Sequence, residues 1–377
     1  MKQKTIIILG GYGNAGIEIA RLLARQQQTN IILAGRNGKQ AQQAAEDLNN
    51  EYSFNCVRGV EADASNRISL LKAFQNVDIV LVAASTIEFA PIIIDAALES
   101  NIDYFDIQIS TPEKHQMLEM FRKQITMSNR IFITDGGYRP GIPAAMVRYA
   151  ATQIPELTSA SVSSVFQVNW KKRQLSFSTC MEFVDEFKYF NQKYFKDGVW
   201  TQGNMRDFSA VDFGTQFGTK YCMPMYLEEF HSLPELIPSL KNTGFYSAGF
   251  GGLMDFVIIP ITFALLKVFP DRSDKLAARI LEWGMRNTSR PPYGAVLTMR
   301  AKSISQQLTM TVFHEDPYII TAAPTVACLL QYFDGTFNQP GLWHQGTLVE
   351  PIRFFEDLKT FGMQISIHAP THRGYLL

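Results

Sequence analysis

A short β-branched run, Thr5 to Leu9, breaks into Gly10-Gly11-Tyr12-Gly13-Asn14-Ala15-Gly16 and then into what reads as a helix, Ile17 to Gln26. The spacing Gly11-x-Gly13-x-x-Gly16 is weak by itself but strong in a strand–turn–helix setting. Each glycine has a physical task. Gly11 permits a tight turn, Gly13 lets a pyrophosphate approach the backbone, and Gly16 lets the helix pack close to the strand. The helix N-terminus then offers unbonded N–H groups and a positive dipole end to phosphate. Tyr12, Asn14 and Ala15 complete the turn and count with the glycines as cofactor-binding residues.

The next apolar run, Asn30 to Ala34, ends in Gly35-Arg36-Asn37. A carboxylate at this point would bond a ribose 2′-hydroxyl; an arginine suits a 2′-phosphate. The expected cofactor is therefore NADP(H), with Arg36 and Asn37 at its 2′-phosphate end.

Apolar runs then alternate with helical patterns. Strands are expected at Phe54–Val60, Asp78–Ala83, Tyr104–Ile107 and Arg130–Thr134, with helices at Ser69–Phe74, Ile92–Ser100 and Glu113–Ser128. This alternation predicts a parallel sheet covered on both faces. Ligands bind beyond the carboxyl ends of such strands. Asp63, Ala84, Ser85 and Asp135 are expected at that edge, and Asp106 is read as a residue that orients a loop.

Beyond Ser159 the pattern changes. SASVSSVFQVNW and QLSFSTCMEF alternate like half-buried strands. A hairpin is expected with strands near Ala295–Ala301 and Leu308–Phe313. The fold class is thus α/β: a doubly wound Rossmann domain at 1–140, then a second α+β domain on a largely antiparallel sheet at 141–344. Residues 345–377, a helix and a short strand, are expected to pack back on the first domain.

The 377 residues carry 35 basic and 35 acidic side chains, so nothing electrostatic points to a nucleic-acid partner. The four cysteines are scattered, with no metal-ligand spacing, and read as reduced thiols of a cytoplasmic protein. No metal is expected. The apolar start is too short for a signal peptide and reads as a buried strand. Gly249 to Phe269 is nearly apolar but interrupted by Asp255, Pro260 and Lys267, which makes it a poor spanning helix. It is read as a core or subunit-interface helix; peripheral membrane contact is the minority reading.

The segments GGYGNAG, AGRN, SNIDYFDIQ and DGGYRPGIPAAMVRYAA, with HEDPYIITAAPTVACLLQYFDG, QPGLW and LVEP further on, resemble the saccharopine dehydrogenase-like oxidoreductases. The resemblance runs through nearly the whole chain. It implies a Rossmann domain, a second domain for substrate and subunit contacts in a homodimer, and reversible hydride transfer at a carbon–nitrogen bond of a small amino-acid-derived substrate. Members that reduce lipid-linked enoyl groups also exist.

Such chemistry requires a proton carrier. His314, in His314-Glu315-Asp316, is the histidine singled out, beside the reading that it only caps a hairpin. Tyr138 and Arg139 stand in the loop before Pro140, where Arg139 suits a substrate carboxylate. His115 is read as a surface residue and His368 and His372 as tail. Two other functions stay open: an enoyl or carbonyl reductase for a hydrophobic, lipid-linked substrate, and an NADP(H)-binding redox sensor without turnover.

Overall fold

The computed structural model describes residues 3–52, 56–172, 175–270 and 272–369, and for Met205 the backbone alone. The chain divides into two units, residues 1–142 with 318–361 and residues 143–317 with 362–377.

The first unit is built on seven strands: β1 (Lys4–Leu9), β2 (Thr29–Gly35), β3 (Val57–Glu61), β4 (Ile79–Val82), β5 (Asp103–Asp106), β6 (Ile131–Thr134) and, much later in the chain, Gly341–His344. The first six lie in the order β3-β2-β1-β4-β5-β6, with Gly341–His344 on the free side of β6. Every pairing is parallel. Helices α1 (Asn14–Gln26), α2 (Gly38–Tyr52), α3 (Arg67–Ala73), α4 (Ala90–Glu99) and α5 (Pro112–Met127) connect the first six strands. Because helices cover both faces, these strands are buried on both sides, and Ile6, Ile7, Ile8, Val80 and Leu81 are fully buried. Tyr104 and Phe132 stack across β5 and β6 with ring centroids 5.3 Å apart.

The predicted third strand began at Phe54; residues 53–55 lie outside the described residues, and the strand observed starts at Val57. The chain returns to the first unit at Tyr318, well before 345, because the helix Ile319–Asp334 belongs there. Its small residues Ala322, Ala323 and Ala327 are fully buried, which suits close packing of a helix.

The second unit carries β7 (Ser159–Gln167), β8 (Lys193–Lys196), β9 (Val199–Gln202), β10 (Ser209–Asp212), β11 (Thr219–Met225), β12 (Asn242–Ala248), β13 (Gly294–Lys302) and β14 (Gln307–His314). With Gly341–His344 numbered β15, the last strand is β16 (Gln364–His368). The sheet order is β10-β11-β12-β7-β13-β14-β16, with β8 and β9 off that path. It is antiparallel except for the parallel pair β12 and β7.

Four expectations are corrected here. QLSFSTCMEF is not a strand: Phe177–Lys188 is a helix, capped by Ser176, whose hydroxyl accepts the Thr179 N–H. Cys180 and Val184 recur on its buried side at helical spacing. Residues 362–369 do not pack back on the first unit; β16 pairs with β14, so His368 closes a strand instead of trailing in a tail, while His372 lies outside the described residues. Residues 249–269 are core only in part: Met254, Ile258 and Leu266 join the hydrophobic core of this unit, while several of the segment's other apolar side chains are exposed. A π-turn at Met254–Ile258 leads into a helix at Ile259–Val268 that buries Thr262 and Leu266. Phe256 (83%), Val268 and Phe269 remain exposed, as does Trp283 on the next helix, Asp274–Thr288. Trp170 belongs to the buried core of this unit and the half-buried Phe166, Phe183 and Phe187 pack against it, whereas Phe177 is exposed.

Candidate functional site

The strand order of the first unit reverses between β1 and β4, the position where doubly wound sheets open a crevice for a dinucleotide. The glycine turn lies there. Gly10 has φ +81°, and a Cβ on it would sit 2.8 Å from the Ala83 oxygen and the Ala84 Cβ, so β1 and β4 approach this closely only with glycine. A Cβ on Gly11 would meet the Leu33 Cα at 2.9 Å. A Cβ on Gly16 would overlap the Gly10 carbonyl oxygen and lie 2.9 Å from the Gly11 Cα. Gly13 differs: a Cβ there meets only the Gly10 oxygen, at 3.1 Å. Gly13 caps α1 without a side-chain hydrogen bond, and no acidic residue lies in the first turn of that helix. The N–H groups of Asn14, Ala15 and Gly16 thus face an open cradle suited to pyrophosphate. These residues fit the cofactor.

The end of β2 is shaped by Tyr12. Its ring lies over Gly35, where a Cβ would fall 2.6 Å from the phenol oxygen, and that oxygen accepts the Asn37 N–H at 3.1 Å. Tyr12 thereby fixes the loop that carries Arg36. Arg36 is exposed and has no ion pair among the described residues. Asp63 accepts the Ser65 hydroxyl at 2.8 Å and its N–H at 3.0 Å; these bonds hold its carboxyl below the usual range, and the Arg36 charge adds to them. At the end of β4, the Gln108 amide donates to the Ala84 oxygen at 3.0 Å, which fixes the Ala84-Ser85 segment. The Asn14 amide donates to the Tyr318 hydroxyl at 2.9 Å.

A second polar cluster occupies the carboxyl ends of β5, β6 and β15. The Lys114 ammonium, 1% exposed, lies 2.9 Å from Asp106 Oδ1 and 2.7 Å from Asp135 Oδ1, and both carboxylates are fully buried. It also donates to the Gln108 oxygen at 3.1 Å. Burial by itself would push the ammonium down; the two carboxylates outweigh that and hold it above the usual lysine value. Burial by itself would push Asp135 up; Lys114, His115 and His344 instead hold it well below the usual carboxylate range. The Ser110 hydroxyl donates to Asp135 Oδ2 at 3.1 Å and lies 2.7 Å from His115 Nε2. His344 Nδ1 lies 3.1 Å from Asp135 Oδ2. Asp135 sits at φ +57°, a conformation that aspartate tolerates better than most residues.

The structure thus gathers Gly11, Tyr12, Gly13, Asn14, Ala15, Gly16, Arg36, Asn37, Asp63, Ala84 and Ser85 around the carboxyl edge of one sheet. Tyr138, buried, and Arg139, half-buried, lie in the loop after β6. His314 lies in the second unit, at the end of β14, where its Nδ1 accepts the Asp316 N–H at 2.9 Å. His115 is not a plain surface residue, because it packs into the Asp135 cluster with its ring 17% exposed. The sequence reading missed Ser110, Lys114 and His344. One signal was present: Asp106, Asp135 and His344 each close or directly follow a short apolar strand.

These features define a doubly wound dinucleotide-binding fold, with an arginine suited to a 2′-phosphate at the end of β2. Residues 6–132 match the saccharopine dehydrogenase NADP binding domain family. The solved saccharopine dehydrogenase (L-Glu forming) from Saccharomyces cerevisiae is similar over 98% of this chain and 100% of its own, with a TM-score of 0.66 at 14% identity. Over residues 6–132 the chain is similar to that family's NADP-binding domain, and its fold is similar to that of the yeast enzyme. An oxidoreductase from Sinorhizobium meliloti covers 97% of this chain and 100% of its own at 10% identity, with a TM-score of 0.44. A variant meso-dapdh from Clostridium tetani covers 94% and 95% at 13% identity, also with a TM-score of 0.44. No curated protein matches in sequence.

Proposed function

We propose that the protein is an NADP(H)-dependent oxidoreductase that transfers hydride at a carbon–nitrogen bond of an amino-acid-derived small molecule. The reading rests on the glycine cradle at the sheet's reversal point, with an arginine instead of a carboxylate at the end of β2. The likeness to the yeast enzyme's fold supports the substrate class.

The bound nicotinamide would supply or receive the hydride. The chain's own residues do the rest. The first turn of α1 would hold the pyrophosphate, Tyr12 sets the Arg36 loop, and Arg36 would hold the 2′-phosphate. Gln108 fixes the segment at Ala84 and Ser85, which would line the cofactor's path. Arg139 is assigned to a substrate carboxylate, with Tyr138 beside it in the loop. His314 is assigned the proton: its Nδ1 is engaged by the Asp316 N–H, which leaves Nε2 to carry it.

Arg36→Asp tests the cofactor half. NADPH affinity, read by fluorescence titration, is expected to fall about tenfold or more, since a charge-assisted contact contributes about 1.5–3 kcal/mol. NADH affinity should change little. Equal losses for the two dinucleotides would remove Arg36 from the site. Turnover of bound NADPH separates the enzyme from a non-catalytic sensor.

The exposed apolar side chains of 253–269 favour a second reading, reduction of a hydrophobic or lipid-linked substrate. Among the described residues no helix is long and apolar enough to cross a membrane. We assign this face to the contact of a homodimer. Phe256→Glu with Phe269→Glu should then give monomers in sedimentation while NADPH affinity is retained. If the unaltered protein is monomeric and floats with liposomes, the dimer assignment fails and the lipid-linked reading gains. The four cysteines are free and buried, which suits a cytoplasmic protein.

A further inference from the structure

We propose that His115 Nε2, Asp135 Oδ2 and His344 Nδ1 form a site for one divalent first-row transition-metal ion of zinc type. The three atoms lie within 4.8 Å of one another. Two edges of this triangle are 3.4 Å, from His115 Nε2 to Asp135 Oδ2, and 3.1 Å, from His344 Nδ1 to the same oxygen. Metal–ligand bonds of about 2.0–2.2 Å place neighbouring ligand atoms about 3.0–3.5 Å apart, so small side-chain shifts bring the three onto one ion.

A second observation is the charge of the buried ionic set. Lys114 supplies one positive charge against two fully buried carboxylates, Asp106 and Asp135, which leaves one negative charge uncompensated within it. Buried ions need a partner charge. Lys114 occupies Oδ1 of Asp135, so the other oxygen, Oδ2, is the one turned toward the two imidazoles. A cation between Oδ2 and the rings completes the balance, whereas a neutral hydrogen-bonded pair of rings does not.

The surroundings are those of an oriented ligand. Lys114 holds Asp135 from behind and is itself held by Asp106 and the Gln108 oxygen. Such outer partners fix the ligating atom and are worth about 10–100-fold in metal affinity. Two imidazoles and one carboxylate select zinc, cobalt or nickel over magnesium and calcium. Three protein ligands leave at least one position for water, the Ser110 hydroxyl or an oxygen or nitrogen atom of a small molecule, as in zinc sites that do chemistry. The proposal does not depend on the dinucleotide.

Purified full-length protein, stripped with chelator and dialysed against Co2+, tests the site. The expected result is one Co2+ per chain, a visible d–d band, and displacement of that band by Zn2+. His115→Ala and His344→Ala should each weaken Co2+ binding by at least about tenfold, while His231→Ala should leave it unchanged. His115→Gln and His344→Gln serve if an alanine variant loses its far-ultraviolet circular dichroism. Absence of Co2+ binding by the unaltered protein overturns the site, and a proton on an imidazole is then the missing charge. Equal binding by the His115 and His344 variants also overturns it, since the ion then sits elsewhere.

Discussion

Lys114→Met is expected to lower the stability of the first unit by about 3–5 kcal/mol at neutral pH, the usual result of removing one partner from a buried ion set. That corresponds to a fall in melting temperature of about 6–20 °C for a unit of this size. Lys114 is the ammonium that both Asp106 and Asp135 share, and all three side chains are essentially excluded from water. Without it two carboxylates face each other at the ends of adjacent strands, each desolvated and each repelling the other. The loss should depend on pH in a definite direction. Asp135 is held well below the usual carboxylate value, so its stabilisation is complete above about pH 4, where the unfolded chain ionises, and is lost as pH falls through its lower folded value. Lys114 is held above the usual lysine value, so its contribution is complete below about pH 10.4 and is lost as pH rises through the folded value. In the variant Asp135 loses the Lys114 cation, and burial pushes its carboxyl up from the parent's low value. Protonation then removes the repulsion, and the gap between variant and parent should narrow as pH falls toward about 4. Denaturant titrations at several pH values measure this. A loss below about 1 kcal/mol at neutral pH, or a gap that widens on acidification, would mean that the set does not hold the strand ends together.

How much of this was legible in the sequence depends on the range of the forces involved. The glycine turn and the alternation of strands and helices are local: β-branched runs, turn residues and helical spacing each lie within a dozen residues. They placed β1, β2 and β4–β6 within a few positions of where they lie. The segment at Phe177 was misread because a period-2 reading of Ser, Phe and Thr competes with the helical spacing of Cys180 and Val184. The Ser176 cap and the tertiary packing of those two residues decide the outcome. The strand Gly341–His344 gives almost no local signal at four residues, yet it places His344 beside an aspartate 209 positions away. The same holds for His115, whose neighbours in sequence suggest an ordinary helix start. Its role comes from Asp135 on the next strand, and spacing along the chain does not carry that information. The destination of 249–269 was equally non-local. Its apolar content is plain in the sequence, but whether neighbouring helices cover it is a property of the assembled unit.

Gly16 and Gly13 are expected to fail in different ways when replaced by alanine, and the contrast tests whether the turn is a ligand cradle or only a tight corner. In Gly16→Ala the new Cβ overlaps the Gly10 carbonyl oxygen and presses on the Gly11 Cα, both backbone atoms with nowhere to go. Helix α1 must move away from β1, which costs about 1–3 kcal/mol of stability, as overpacking does elsewhere. The displacement also carries the first-turn N–H groups away from the phosphates, so stability and NADPH affinity fall together. In Gly13→Ala the Cβ meets only the Gly10 oxygen at 3.1 Å, and φ at this position is −76°, open to any residue. Melting temperature should therefore change little. The methyl group nevertheless intrudes where the pyrophosphate approaches the backbone, and the loss of even one charge-assisted N–H contact, about 1.5–3 kcal/mol, lowers NADPH affinity about tenfold or more. Thermal melts without ligand, set beside NADPH titrations of the two variants, read both quantities. If Gly13→Ala binds NADPH as the parent does, the pyrophosphate does not lie against this turn, and the open side of Gly13 is only unfilled surface. If Gly16→Ala melts like the parent, the close approach of α1 to β1 is not what the glycine is there to permit.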